Sequence, residues 1–230
     1  MNSIAKKYFT IGIILFAIFI EFTALVKIVD VEALGIEGET IGFATINKSI
    51  FTFIGKSSFW LTVTDILGIV VLMVAAAFGL FGLCQFIKRK SIKKVDAPIL
   101  ALGLLYVAVI IIYIIFEFYV INYAPIKVDG EFKPSYPSSH TLLAVTVMTS
   151  GASVFNLYVS KKAYRIAAYS ASTAIAALTV IGRLLAGVHW FTDIFASLIL
   201  SAALIILLYG VLELCAPINT EDQKVNEEIE

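Results

Sequence analysis

The sequence predicts an all-α fold, a polytopic membrane protein built as a bundle of six transmembrane helices. Three observations predict it. Of 230 residues, 60% are hydrophobic and the mean hydropathy is +0.96, above the roughly half-apolar make-up of soluble domains. Six windows run close to ~20 residues almost without charge, the length a helix needs to cross a bilayer. Lys and Arg gather in alternate connections between those windows. A backbone in lipid must satisfy its own hydrogen bonds, which selects helix for such windows. The formal net charge is zero, so no nucleic-acid partner is expected.

The first span covers about residues 8–29, behind a basic flank at Lys6 and Lys7. Its apolar stretch is long and lacks a small-x-small cleavage pattern, so it reads as an uncleaved span rather than a removed signal. Residues 30–58 scatter apolar side chains among Glu37, Glu39, Lys48 and Lys56. They form either an amphipathic stretch on the membrane surface or an ordered loop. The second span is about 59–86, followed by KRKSIKK at 88–94. The third is about 97–119 and the fourth about 141–159, with SKKAYR at 160–165 behind it. The fifth and sixth are about 166–185 and 192–214. Residues 1–214 are expected to be one transmembrane domain and 215–230 an acidic cytoplasmic tail.

The positive-inside rule sets the orientation. Lys6 and Lys7, KRKSIKK and SKKAYR fall on one side if both termini are cytoplasmic. The other side then carries residues 30–58, the loop 120–140 and the turn between spans five and six. The two cysteines, Cys84 and Cys215, match no metal or redox spacing and read as packed or lipid-facing thiols. Glu21 and Asp65 are charges inside or near the ends of spans one and two. Such charges are functional suspects, although Asp65, near an outer end, reads equally as an interfacial residue. Phe51, Phe53, Phe59, Trp60 and Trp190 suit an interfacial aromatic belt.

The chain has two histidines, His140 and His189, and both are expected on the extracytoplasmic side at the start of a span. Asp193 follows His189 by four residues, so on a helix its carboxylate can reach the imidazole. A carboxylate on one ring nitrogen fixes the tautomer and leaves the other nitrogen free to attack. Ser138 and Ser139 stand where helix N-caps belong, after Pro134 and Pro137. The first turn of a helix offers free N–H groups and the positive end of its dipole to a phosphate. His140, in that turn, can carry a proton to a leaving oxygen. Arg183 presents a planar fork suited to phosphate oxygens. Each feature alone also has an ordinary reading, as a cap, an interfacial histidine or a surface ion network. Together they describe phosphoryl chemistry.

At these residues the chain resembles the type 2 phosphatidic acid phosphatase superfamily of membrane phosphatases. Pro137-Ser138-Ser139-His140 resembles that family's Pro-Ser-Gly-His motif, with Ser139 in place of Gly. Gly182-Arg183-x5-His189-x3-Asp193 resembles its Ser-Arg-x5-His-x3-Asp motif, with Gly182 in place of Ser. The resemblance covers about residues 97–214. It implies that His189 is the nucleophile and forms a phosphohistidine, that Asp193 orients it, and that His140 protonates the leaving group. It also implies that Arg183, Ser138 and Ser139 hold the phosphoryl oxygens, with no metal and no cofactor.

The family's first motif, Lys-x6-Arg-Pro, is altered. Its position corresponds to Glu117-x6-Ala124-Pro125, which keeps the spacing and loses both cations. Lys127-x5-Lys133-Pro134 keeps cations and is one residue short. Glu117, Ala124 and Pro125 are the favoured relic, with Lys127 or Lys133 supplying charge from the same loop. The resemblance implies a metal-independent lipid phosphate phosphatase whose partners are membrane lipids. Its substrate would be phosphatidic acid, phosphatidylglycerol phosphate or a polyprenyl diphosphate such as undecaprenyl diphosphate. A lipid phosphotransferase on the same scaffold and a non-catalytic lipid-phosphate binder or transporter are the alternatives. A general transporter lacks support, because no span shows paired Gly/Pro breaks or a line of buried charge.

Overall fold

The computed structural model describes residues 2–35, 38–127 and 130–215. Seven α-helices occur among them: α1 (Ser3–Ile28), α2 (Ala44–Ile54), α3 (Ser58–Arg89), α4 (Ala97–Phe118), α5 (Ser139–Tyr158), α6 (Lys162–Ala186) and α7 (Phe191–Cys215). All except α2 are long and apolar enough to cross a membrane, and the chain is a multi-pass membrane protein of the expected all-α class. Several helices start before the expected apolar windows, α1 at Ser3 and α6 at Lys162, because polar first turns continue the helix. Residues 30–58, left open between a surface stretch and an ordered loop, hold a two-stranded hairpin and α2. The hairpin pairs β1 (Glu32–Ala33) with β2 (Thr40–Ile41). Of the expected acidic tail, 215–230, Cys215 is the last residue of α7 and residues 216–230 lie outside the described residues.

Helices α5 and α7 are central; α1, α3, α4 and α6 surround them and expose most of their apolar surface. Composition explains the order. Lipid tails are as apolar as leucine, so helices in a membrane associate through close packing and hydrogen bonds rather than apolar burial. Helix α5 buries Thr141, Ala144, Thr146, Ser150, Gly151, Ala152 and Ser153, small side chains that admit neighbours closely. Helices α1 and α7 pack through reciprocal glycines, Gly12 against Leu207 and Gly210 against Phe9.

The six spans alternate in direction, so the bundle has two chemically different ends. One carries Lys6 and Lys7, the connection between α3 and α4, and the connection between α5 and α6. There Asp96 accepts from Arg89 at 2.6 Å, Gln85 at 2.7 Å and the Tyr158 hydroxyl at 3.0 Å, joining α3, α4 and α5. The Arg89 guanidinium holds the Asp96 carboxyl below the usual carboxylate range. The other end gathers the hairpin, α2, the loop 119–138, and the turn carrying His189.

Candidate active site

Loop 119–138 doubles back on itself in an extended pairing. Ala124 N donates to Lys133 O at 2.9 Å and Ser135 N to Asn122 O at 3.0 Å. Tyr136 fastens the loop to the bundle. Its ring packs between Phe19 and Phe116, and its hydroxyl lies 2.7 Å from Thr23 Oγ1. The second motif therefore enters α5 from a fixed point.

Helix α6 ends at Gly187, whose φ of +69° suits the left-handed turn that glycine adopts without strain. The chain then passes through His189 before α7 begins at Phe191. His189 thus precedes the helix, which changes the expected pairing with Asp193. His189 Nδ1 lies 2.9 Å from the Ser135 carbonyl and donates to it, while its distance to Asp193 Oδ2 is 3.8 Å. That is ion-pair range but not a hydrogen bond. Asp193 instead accepts from Trp190 N at 3.0 Å and Asn122 Nδ2 at 2.9 Å. The first contact is a carboxylate at N3 reaching back to the N-cap amide. The tautomer of His189 is therefore set by a carbonyl, and Asp193 holds the turn that carries the ring.

Two buried asparagines support this arrangement. Asn122 Oδ1 accepts from Gly42 N at 2.9 Å, and its amide donates to Asp193 and Thr192. Asn47 on α2 donates to Gly42 O and Thr192 Oγ1 and accepts from Thr192 N. Trp190, expected in an aromatic belt, is buried. Its indole N–H donates to Tyr123 O and its ring meets Phe51. It closes the core beneath α2. Phe53 and Phe59 are the exposed members of that group.

His140 and His189 line one cavity of about 450 Å³, together with Arg183, Ser139, Lys133, Asp65 and Glu117. Arg183 is 6% exposed. Its Nη1 donates to Thr64 Oγ1 at 3.2 Å and Asp65 Oδ1 at 2.9 Å. Its buried Nε has no acceptor among the described residues, an unmet donor of the kind a bound anion satisfies. A second cavity of about 270 Å³ shares Asp65, Ser139 and His140 and is walled by Ile69, Val71, Leu72 and Leu143.

Two expected phosphate ligands do not line the main cavity. Ser138 is fully buried. Its hydroxyl caps α5 toward Thr141, its N–H donates to Asp193 O, and its carbonyl accepts from Ser197. The side chain is thus engaged within α5, and the Ser138 backbone ties α5 to α7. Lys127 lies over the Phe132 ring and lines a separate groove. Lys133, its rival, lines the main cavity because the loop pairing sets it opposite Ala124. Its Nζ contacts Glu131 at 2.6 Å, an exposed pair of small energetic worth. Glu117 and Ala124 also line the cavity wall. Glu21 is exposed on α1 and is not among the lining residues.

The third motif's serine position, Gly182, is explained by packing. A Cβ there would lie 2.5 Å from Thr64 Cγ2 and 3.1 Å from Trp60. The hydroxyl beside Arg183 comes from Thr64 on α3 instead. Restoring the family residue, Gly182→Ser, is therefore expected to destabilise the protein by about 1–3 kcal/mol through overpacking. Thr64→Ser, which removes the obstructing methyl and keeps the hydroxyl, is expected to recover most of that loss in the double variant. Thermal unfolding in detergent checks both.

The fold and the cavity define a membrane-helical protein with two histidines, an arginine and a helix N-terminus at one end of the bundle. Residues 117–215 match the PAP2 superfamily model. That matched segment holds the second and third motifs by which the chain resembles the type 2 phosphatidic acid phosphatase superfamily. The chain also shares its fold with a solved transmembrane PAP2 type phosphatidylglycerolphosphate phosphatase from Bacillus subtilis. The TM-score is 0.65 at 18% identity, over 90% of this chain and 98% of that one. No curated protein matches the chain.

Proposed function

We propose that this chain is a lipid phosphate phosphatase that works through a phosphohistidine at His189. The observation that carries the reading is the bond from His189 Nδ1 to the Ser135 carbonyl beside a cavity that also contains His140 and Arg183. With its proton on Nδ1, the ring keeps the Nε2 lone pair for phosphorus. Nε2 attacks, the bond from phosphorus to the leaving oxygen breaks, and His140 gives its proton to that oxygen. Water then attacks the phosphohistidine and passes a proton to His140. The P–N bond breaks, releasing inorganic phosphate and restoring both rings. Asp193, 3.8 Å from Nδ1, stabilises the positive charge the ring carries while phosphorylated.

Arg183 and Lys133 hold the phosphoryl oxygens, joined by the first-turn amides of Ser139 and His140, which have no acceptor within their own helix. Lys133 takes over at Ala124 the charge missing from the first motif. This scheme draws on protein groups alone for charge and proton transfer, so activity is expected to survive chelation. The apolar groove between Ile69, Leu72 and Leu143 suits a lipid tail reaching the site from the bilayer. By the distribution of basic loops, the site faces the extracytoplasmic side and both termini the cytoplasm.

The candidate substrates are phosphatidylglycerol phosphate, phosphatidic acid and polyprenyl diphosphates. The fold relative is described as acting on the first of these. The test is phosphate release by purified protein in mixed micelles containing each lipid, with and without chelator. Release from at least one lipid in chelator is expected. A folded protein inert toward the whole panel would defeat the reading, and lipid binding unaffected by His189→Ala would favour a non-catalytic carrier. Phosphate that appears only on an added acceptor alcohol would favour a phosphotransferase.

A further inference from the structure

We propose that Asp65 of α3 is the positioning residue of this site, the carboxylate that holds Arg183 and His140 in their working places. The inference rests on the phosphatase reading and names a residue outside the three motifs. One oxygen, Asp65 Oδ1, lies 2.9 Å from Arg183 Nη1 and 3.6 Å from His140 Nε2. Asp65 is thus the element of the site that touches both the guanidinium and the acid–base imidazole.

The surrounding helix face is built for these contacts. Leu61, Thr64, Asp65 and Gly68 follow the i, i+3, i+4, i+7 spacing that shares one helix side. Each does something different at the site. Leu61 lines the cavity. Thr64 takes the second bond from Arg183 Nη1. Gly68 leaves room for the ring: a Cβ there would stand 3.1 Å from His140 Cδ2 and 3.3 Å from Nε2. Helix α3 therefore carries a seat for His140 and an anchor for Arg183, although it lies outside the segment matched by the family.

Charge explains why a carboxylate stands there. His140 faces the guanidinium of Arg183, the carboxylate of Asp65 and the imidazole of His189, with Lys133 and Glu117 on the wall of the same cavity. With only Arg183 near, a proton on His140 would be repelled by the guanidinium; the Asp65 carboxylate, 3.6 Å from Nε2, counters part of that repulsion. It occupies Nη1 alone and leaves the rest of the guanidinium for phosphate. Asp65 positions these groups and transfers no proton in the scheme.

Asp65 should therefore affect turnover and phosphate binding in opposite ways. Neutralising it frees the guanidinium and removes a negative charge near the incoming phosphate, so the anion binds as well or better. The same change leaves His140 without its partner, so turnover falls. A residue that only supports folding would lose both together.

The test compares wild type, Asp65→Asn and Asp65→Glu for kcat and KM on dioctanoyl phosphatidic acid and for orthovanadate binding by tryptophan fluorescence. For Asp65→Asn we expect kcat to drop at least ~10-fold while vanadate binds with equal or up to ~10-fold higher affinity. Asp65→Glu, which keeps the charge on a longer arm, is expected to recover a substantial part of kcat. Should the Asn variant not fold, Asp65→Ser is read in the same way. A kcat within twofold of wild type, or a parallel loss of kcat and vanadate affinity, would overturn the assignment. A wild-type protein inactive on every lipid phosphate would defeat the phosphatase reading itself.

Discussion

His189→Ala is expected to lower phosphate release by at least ~10⁴-fold, roughly 5.5 kcal/mol of lost transition-state stabilisation. The size follows from the role. With the imidazole gone, the reaction has no covalent route, and water must displace the leaving group directly within a site not arranged to activate it. The bonds that position the turn argue against a folding artefact. Trp190 N to Asp193, Asn122 to Asp193 and the Trp190 indole to Tyr123 do not involve the His189 ring. The variant should therefore keep its thermal transition and its affinity for vanadate to within about tenfold. Measurement of kcat beside melting temperature separates lost chemistry from lost structure.

Arg183→Lys is the second large effect, expected at about 10²-fold in kcat, or ~2.7 kcal/mol. Charge is conserved in this change, so long-range attraction of phosphate survives. What disappears is geometry. Arg183 uses one nitrogen, Nη1, for Thr64 and Asp65 and keeps the rest of a rigid planar fork beside the cavity. An ammonium cannot be anchored on one side and clamp phosphoryl oxygens on the other in a fixed plane. Its donors would be drawn toward Asp65, the nearest carboxylate. KM should therefore change less than kcat, because ground-state attraction depends on charge and transition-state stabilisation on alignment. Comparing the two constants for Arg183→Lys and Arg183→Ala checks this; equal kcat for wild type and the Lys variant would refute it.

The six spans were legible because apolar length is a direct consequence of membrane thickness, and the helix ends differ from the apolar windows by a few residues. The meeting of His140, His189 and Arg183 at one cavity was foreshadowed by motif spacing and by the alternation of the spans. Local geometry was less accessible. An i, i+4 relation presupposes that both residues lie on the helix, and His189 sits before it; its hydrogen bond therefore goes to Ser135, 54 residues away in sequence. Ser138 resembles a phosphate ligand in sequence, but only its burial against α7 shows that its polar groups are already committed. Asn122 and Asn47 gave no signal, since a lone asparagine in a polar segment looks the same whether solvated or buried. Asp65 did leave a trace, a carboxylate near the end of an apolar span, but its partners on α5 and α6 became visible only once the helices were packed. The Gly182–Thr64 contact is similarly a property of two helices and not of either motif.

The most direct test of the central claim is to trap the phosphoenzyme. Protein mixed with a ³²P-labelled aryl phosphate, whose good leaving group needs little help from an acid, is quenched in alkali and separated from free label. Wild type and His140→Ala should retain protein-bound phosphate that is stable to base and released by mild acid, as a P–N bond requires, and His189→Ala should retain none. Label of the same acid lability remaining on His189→Ala would contradict the account.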